Sequence, residues 1–135
     1  MSSSGLDIEV LGIELLVPDA PTALEVRELC MLALASAGID EGHMAVEFVD
    51  AERIHVLNRD YRNIDSPTDV LSFGVDEDGD SAGPRELGDI VICPEHTSDL
   101  REAVVHGTLH LTGMDHEVDD GEMLALQSEL MRWIR

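Results

Sequence analysis

Lysine is absent from this chain. All eight basic residues are arginines, set against 29 acidic residues in a length of 135, and the formal net charge is −21. On charge alone this counts against nucleic acid as a partner, because phosphate contacts normally need clustered Lys and Arg. It suits high salt, high solubility or a basic partner. Aromatic residues make up only 3%. Cysteine is limited to Cys30 and Cys93, too few for a disulfide framework. They read as reduced thiols of a cytoplasmic protein. No run of about eighteen apolar residues occurs, so no membrane span is expected. Residues 1–7 lack the basic and apolar regions of a secretory signal.

What is present fits a globular fold. The apolar fraction of 44% is ordinary for a packed domain and argues against wholesale disorder. Residues 1–135 are expected to form one domain. Residues 6–17 are rich in Ile, Leu and Val and read as a strand. Thr22 with Glu25 three residues later predicts a capped helix start. That helix should run over 23–37 with Leu24, Leu29, Leu32 and Ala33 inward, and stop at Gly38. Strands are expected at 43–49, 69–75 and 87–93, and helices at 51–61, 100–111 and 119–133. The last should turn Met123, Leu124, Leu126 and Leu130 toward its apolar side. Residues 76–84 read as an acidic surface loop. Interleaved strands and helices give an α/β (α+β) class: a mixed four-stranded sheet flanked by helices.

The densest chemistry lies between His106 and His116. His106 and His110 are four apart, so on a helix both imidazoles share one face. Gly113 can end that helix, and the chain can then bring His116 back to the same point. Half of the six histidines fall in these eleven residues. Three neutral imidazoles on a helix and its following turn form an open tripod suited to one zinc ion, with a fourth position left for water. The spacing also matches the metzincin proteases, but those carry Glu directly after the first histidine as general base. Gly107 stands there in this chain. Asp115 and Glu117 are either partners that orient an imidazole or ordinary surface acids.

Tyr61, Arg62 and Pro67 lie in a second dense segment. Pro67 holds Ser66 toward extended geometry, so a sharp loop should lead into the strand at 69–73. Arg62 could serve a site there, or pair with Asp60 or Asp65 on the surface. Cys93 reads as a small core residue.

Three signatures in register resemble those of the YbeY family, bacterial endoribonucleases of rRNA maturation. They are His-Gly-x-Leu-His-Leu-x-Gly-x-Asp-His from position 106, Tyr-Arg-x-x-Asp-x-Pro-Thr-Asp-Val-Leu-Ser-Phe from position 61, and Gly-Asp-Ile-x-Ile from position 88. The resemblance implies zinc on His106, His110 and His116, and Arg62 lining the cleft above the metal. It implies single-stranded rRNA precursors as substrate, 16S rRNA above all, and a role in ribosome quality control. It also implies small-subunit ribosomal proteins and an assembly GTPase as partners. Arg62 could then hold the scissile phosphate. Two other readings compete. One is a ribosome-assembly binding factor with a structural or vestigial zinc; the other is a metzincin-like peptidase. If the chain binds RNA, much of its negative charge should sit at 76–80 and 117–122, away from the cleft mouth.

Overall fold

The computed structural model describes residues 5–18, 20–74 and 85–134. Four strands and four α-helices follow one another along them in the order β-α-β-α-β-β-α-α. They are β1 (Gly5–Leu11), α1 (Ala23–Ser36), β2 (Glu41–Phe48), α2 (Ala51–Arg62), β3 (Val70–Gly74), β4 (Glu86–Ile92), α3 (Leu100–Leu111) and α4 (Glu122–Ile134). Short 3₁₀ turns occupy Ile13–Leu15 and Pro94–His96. The expected loop at 76–84 lies outside the described residues. Among those residues, no helix is long and apolar enough to cross a membrane.

The sheet order is β1-β2-β4-β3. β1, β2 and β4 run parallel, and β3 pairs antiparallel with β4 at the edge. The sheet is therefore mixed and four-stranded, as the interleaved pattern predicts. Alternation along β2 sends Met44, Val46 and Phe48 to one face, where they meet α1, α3 and α4. On the opposite face Leu71, Val91 and Cys93 pack with Ile54 of α2. Both cysteines are free and buried. Burial pushes the Cys30 thiol up to about 12 and also raises that of Cys93, so both behave as inert core groups.

Local chemistry sets the boundaries. Thr22 Oγ1 accepts the Glu25 N–H at 3.1 Å, the N-terminal half of the expected capping box. Asp50 and Asp99 cap α2 and α3 in the same way. β1 is shorter than the expected 6–17, because Gly12 takes a left-handed conformation (φ 78°) and the chain leaves the sheet there. α4 starts at Glu122 rather than 119, since the Asp119 carboxylate accepts the N–H groups of Gly121 and Met123. Two expected core residues are exposed: Leu24 at 62% and Leu124 at 47%. The buried stripe of α1 is Val26, Leu29, Cys30, Ala33 and Leu34. Leu24 lies two positions before Val26, about 200° round the helix, and so faces water.

Helix α3 is the element that positions the site. It rests on β4 at Gly107, where a Cβ would stand 2.7 Å from Ile90 Cγ2. It is tied to β3 by Ser72, whose hydroxyl donates to the Gly107 carbonyl at 3.2 Å. Arg101 ties it to α1 through two bonds to the Glu25 carboxylate.

Candidate metal centre and its cleft

The end of α3 follows from its sequence. Gly113 takes φ 103°, a conformation that side-chain-bearing residues avoid. The Gly113 N–H then reaches the His110 carbonyl at 3.0 Å, and the Met114 N–H reaches that of Leu109 at 3.3 Å. This pair of bonds is the Schellman closure of a helix. It reverses the chain, and the reversal brings His116 against His106 and His110. The ring centroids stand 4.8, 5.1 and 5.2 Å apart. One ring nitrogen from each of the three lies within 4.8 Å of the others.

The imidazoles are aimed by their second nitrogens. His110 Nδ1 sits 3.0 Å from the Met114 carbonyl oxygen. A carbonyl can only accept, so Nδ1 carries the proton and Nε2 presents a bare lone pair. His106 Nδ1 sits 2.7 Å from Gln127 Oε1, and with that oxygen accepting, His106 also presents Nε2. Burial lowers the His110 pKa, and the neighbouring His106 lowers it further. The neutral form, which is the ligand form, is thereby favoured. Three half-buried imidazoles with two tautomers fixed this way fit a divalent cation that takes nitrogen ligands. Asp115 and Glu117 do not orient the rings through hydrogen bonds; Asp115 Oδ1 instead accepts the Glu117 N–H. Gln127 carries no signal of its own in the sequence. Its position four after Met123 on the inward side of α4 is the one hint, a polar residue on an otherwise apolar stripe.

The cluster opens into a cleft of about 980 Å³ that runs along the edge strand β3. Arg62 lines it from the last turn of α2. The two acids that could have paired with Arg62 are engaged elsewhere. Asp60 pairs with Arg59 at 3.2 Å and Asp65 with His55 at 2.7 Å. Arg62 forms no ion pair among the described residues, so the surface-pair alternative does not hold. Tyr61 lines the cleft beside it, edge-on to Phe73.

The expectation that negative charge lies away from the cleft mouth is met at Asp119, Asp120 and Glu122 but not at Glu117. The acids at 76–80 lie outside the described residues, but acids do crowd the cleft itself. Asp69, Asp99, Glu102, Asp115 and Glu117 all line it, against Arg62 as the single Lys or Arg there among the described residues. The reason is the fold: caps and turns that use Asp, such as Asp99 on α3, lie at the same strand and helix ends that form the cleft.

Gly107 also decides the peptidase reading. The metzincin base would occupy a position whose Cβ already meets Ile90. Any side chain there would require Ile90 or α3 to shift, and its Cβ would point at the sheet rather than into the cleft.

Comparison with known proteins gives a consistent picture. The family profile described as endoribonuclease YbeY matches residues 17–135. An endoribonuclease YbeY from Rubrobacter xylanophilus is 43% identical, with 94% of this chain and 92% of the relative covered. Another from Geobacillus thermodenitrificans is 42% identical, over 78% of this chain and 81% of that one. The solution structure of TM1509 from Thermotoga maritima superposes with a TM-score of 0.51 at 30% identity, covering 91% of this chain and 85% of that one.

Proposed function

Since this chain belongs to the endoribonuclease YbeY family and is a hydrolase of RNA phosphodiester bonds, we propose that it is a zinc-dependent, single-strand-selective enzyme of rRNA maturation. Its substrate in this reading is the 16S precursor, its setting the cytoplasm, and its wider role ribosome quality control. The observation that carries the reading is the convergence of His106, His110 and His116 to within 4.8 Å in the cleft that Arg62 enters.

His106, His110 and His116 would hold one zinc ion, His106 and His110 through Nε2. Zinc held there supplies Lewis-acid polarisation of a phosphoryl oxygen and acidification of water. The chain's own groups do the positioning. Gln127 and the Met114 carbonyl keep two ligand rings in the required tautomer. Arg62, with no carboxylate paired to it among the described residues, offers its guanidinium fork to the scissile phosphate and to the charge that develops on it. Ribosomal proteins of the small subunit and an assembly GTPase are the proposed partners. The exposed acids of the outer sheet face, Glu9, Glu47, Glu86 and Asp89, suit basic ones.

The test is cleavage of a single-stranded RNA by the purified protein, with metal analysis before and after chelation. Chelator and His110→Ala should each abolish cleavage, and Arg62→Ala should lower kcat about 10²–10³-fold while leaving the metal content intact. Cleavage that survives in the His110 variant would point to a contaminating nuclease.

A further inference from the structure

The cleft has a charge problem that the proposed function does not resolve. Among the described residues, five carboxylates and one arginine line it. Strands of RNA are ordinarily held by neutralising phosphates, with each contact made by a Lys or Arg. Arg62 can neutralise one phosphate. A divalent ion held by the three histidines would add one more, at the scissile phosphate; affinity for the rest of the strand has to come from contacts that do not depend on charge.

Tyr61 is the candidate. It is the one tyrosine of the sequence and precedes Arg62 on the last turn of α2. It is 69% exposed although it lines the cleft, so its ring contributes little to the core. The ring is nevertheless held in place. Phe73 of β3 meets it edge to face, with centroids 5.4 Å apart and an interplanar angle of 69°, a favoured aromatic geometry. An aromatic ring that is exposed, oriented and next to the phosphate-binding group has the features of a base-stacking platform.

We propose that Tyr61 stacks an unpaired nucleobase of the RNA next to the phosphate engaged by Arg62. This rests on the reading of the cleft as the RNA site. Every base has a π-face, so the subsite tolerates any sequence. A base inside a duplex has both faces covered by its neighbours, so the subsite selects unpaired strands. Phe73 acts as the positioning residue that holds the tyrosine ring before the substrate arrives.

The experiment uses the full chain with its metal and a single-stranded RNA oligomer. Tyr61→Ala should raise KM about 5- to 150-fold, the equivalent of ~1–3 kcal/mol for one stacked base, with little change in the melting temperature. Tyr61→Phe should recover most of that loss. In a Trp133→Phe background, Tyr61→Trp should show fluorescence quenching by the oligomer but not by the same oligomer with abasic sites, nor by a blunt duplex. An unchanged KM in Tyr61→Ala overturns the proposal, as does equal loss in Tyr61→Phe, which would assign the effect to the hydroxyl. Equal quenching by the abasic oligomer or the duplex overturns it as well. A wild-type protein that neither binds nor cuts the oligomer would instead refute the RNA-site reading beneath it.

Discussion

Gln127 on α4 and His106 on α3, 21 residues apart in the chain, meet through a 2.7 Å contact between Oε1 and Nδ1. The fourth helix therefore does more than cover the core. Its buried side, Met123 and Leu130, anchors it, and the anchoring fixes a polar group against a candidate metal ligand. Loss of such an orienting bond typically costs 10- to 100-fold in metal affinity. Gln127→Leu should weaken zinc binding by about that factor, measured by competition with a chromophoric chelator. Gln127→Glu keeps an acceptor and should retain affinity. Equal affinity in the Leu variant would show that the contact does not orient the ring.

Gly107 makes a packing prediction. Its missing side chain lets α3 approach β4, and a Cβ there would stand 2.7 Å from Ile90 Cγ2 and 3.2 Å from its Cδ1. Ile90 is fully buried and cannot swing clear. Overpacking of this kind costs about 1–3 kcal/mol. Urea titration should find Gly107→Ala destabilised within that range, and Gly107→Ala/Ile90→Val restored in part. A Gly107→Glu chain that folded and cut peptides would revive the peptidase reading.

A pH effect on stability should come from His43. Its imidazole sits between two carboxylates across three strands, 2.9 Å from Glu9 Oε1 on β1 and 3.1 Å from Glu86 Oε2 on β4. Glu86 first, then Glu9, raise the His43 pKa above its ordinary value of 6.5, with Asp7 of β1 adding to the effect. A raised folded pKa means that the imidazolium stabilises the fold. That contribution is complete below pH 6.5 and is lost as pH rises through the higher folded value. Denaturation across this window should show wild type losing stability relative to His43→Gln as pH increases. Parallel curves for the two proteins would count against the clamp.

These predictions draw on different depths of the sequence. The four-residue spacing of His106 and His110, the glycine at 113 and the Thr22–Glu25 pair are local patterns, and the structure follows them closely. Gln127 was not legible, because its role depends on how α4 crosses α3, which is a matter of tertiary packing. The Met114 carbonyl was hidden for a plainer reason: backbone groups have no letter in the sequence. Arg62 stayed ambiguous with acids two residues before and three after it. Only the folded chain shows Asp60 turned to Arg59 and Asp65 to His55. The inward placement of Leu24 failed because a helix start has several apolar residues and only the fold selects the buried stripe.

The acid-rich cleft makes a last prediction, on the salt dependence of RNA binding. For single strands, log K falls against log salt with a slope of about −0.7 per phosphate neutralised. Arg62 lines the cleft, and Arg59 stands one helical turn before it, paired to Asp60 at the surface. One or two phosphate contacts give a slope of about −0.7 to −1.4, so a tenfold rise in salt should weaken binding only about 5- to 25-fold. The five cleft carboxylates push the same way, because salt screens their repulsion of the backbone while it screens the attraction to arginine. Stacking on Tyr61 adds no salt dependence of its own. Fluorescence anisotropy of a labelled single-stranded RNA from low to high salt measures the slope directly. A slope steeper than about −3 would require four or more neutralised phosphates, more than these two arginines and one divalent ion supply, and would place the RNA on another surface of the molecule.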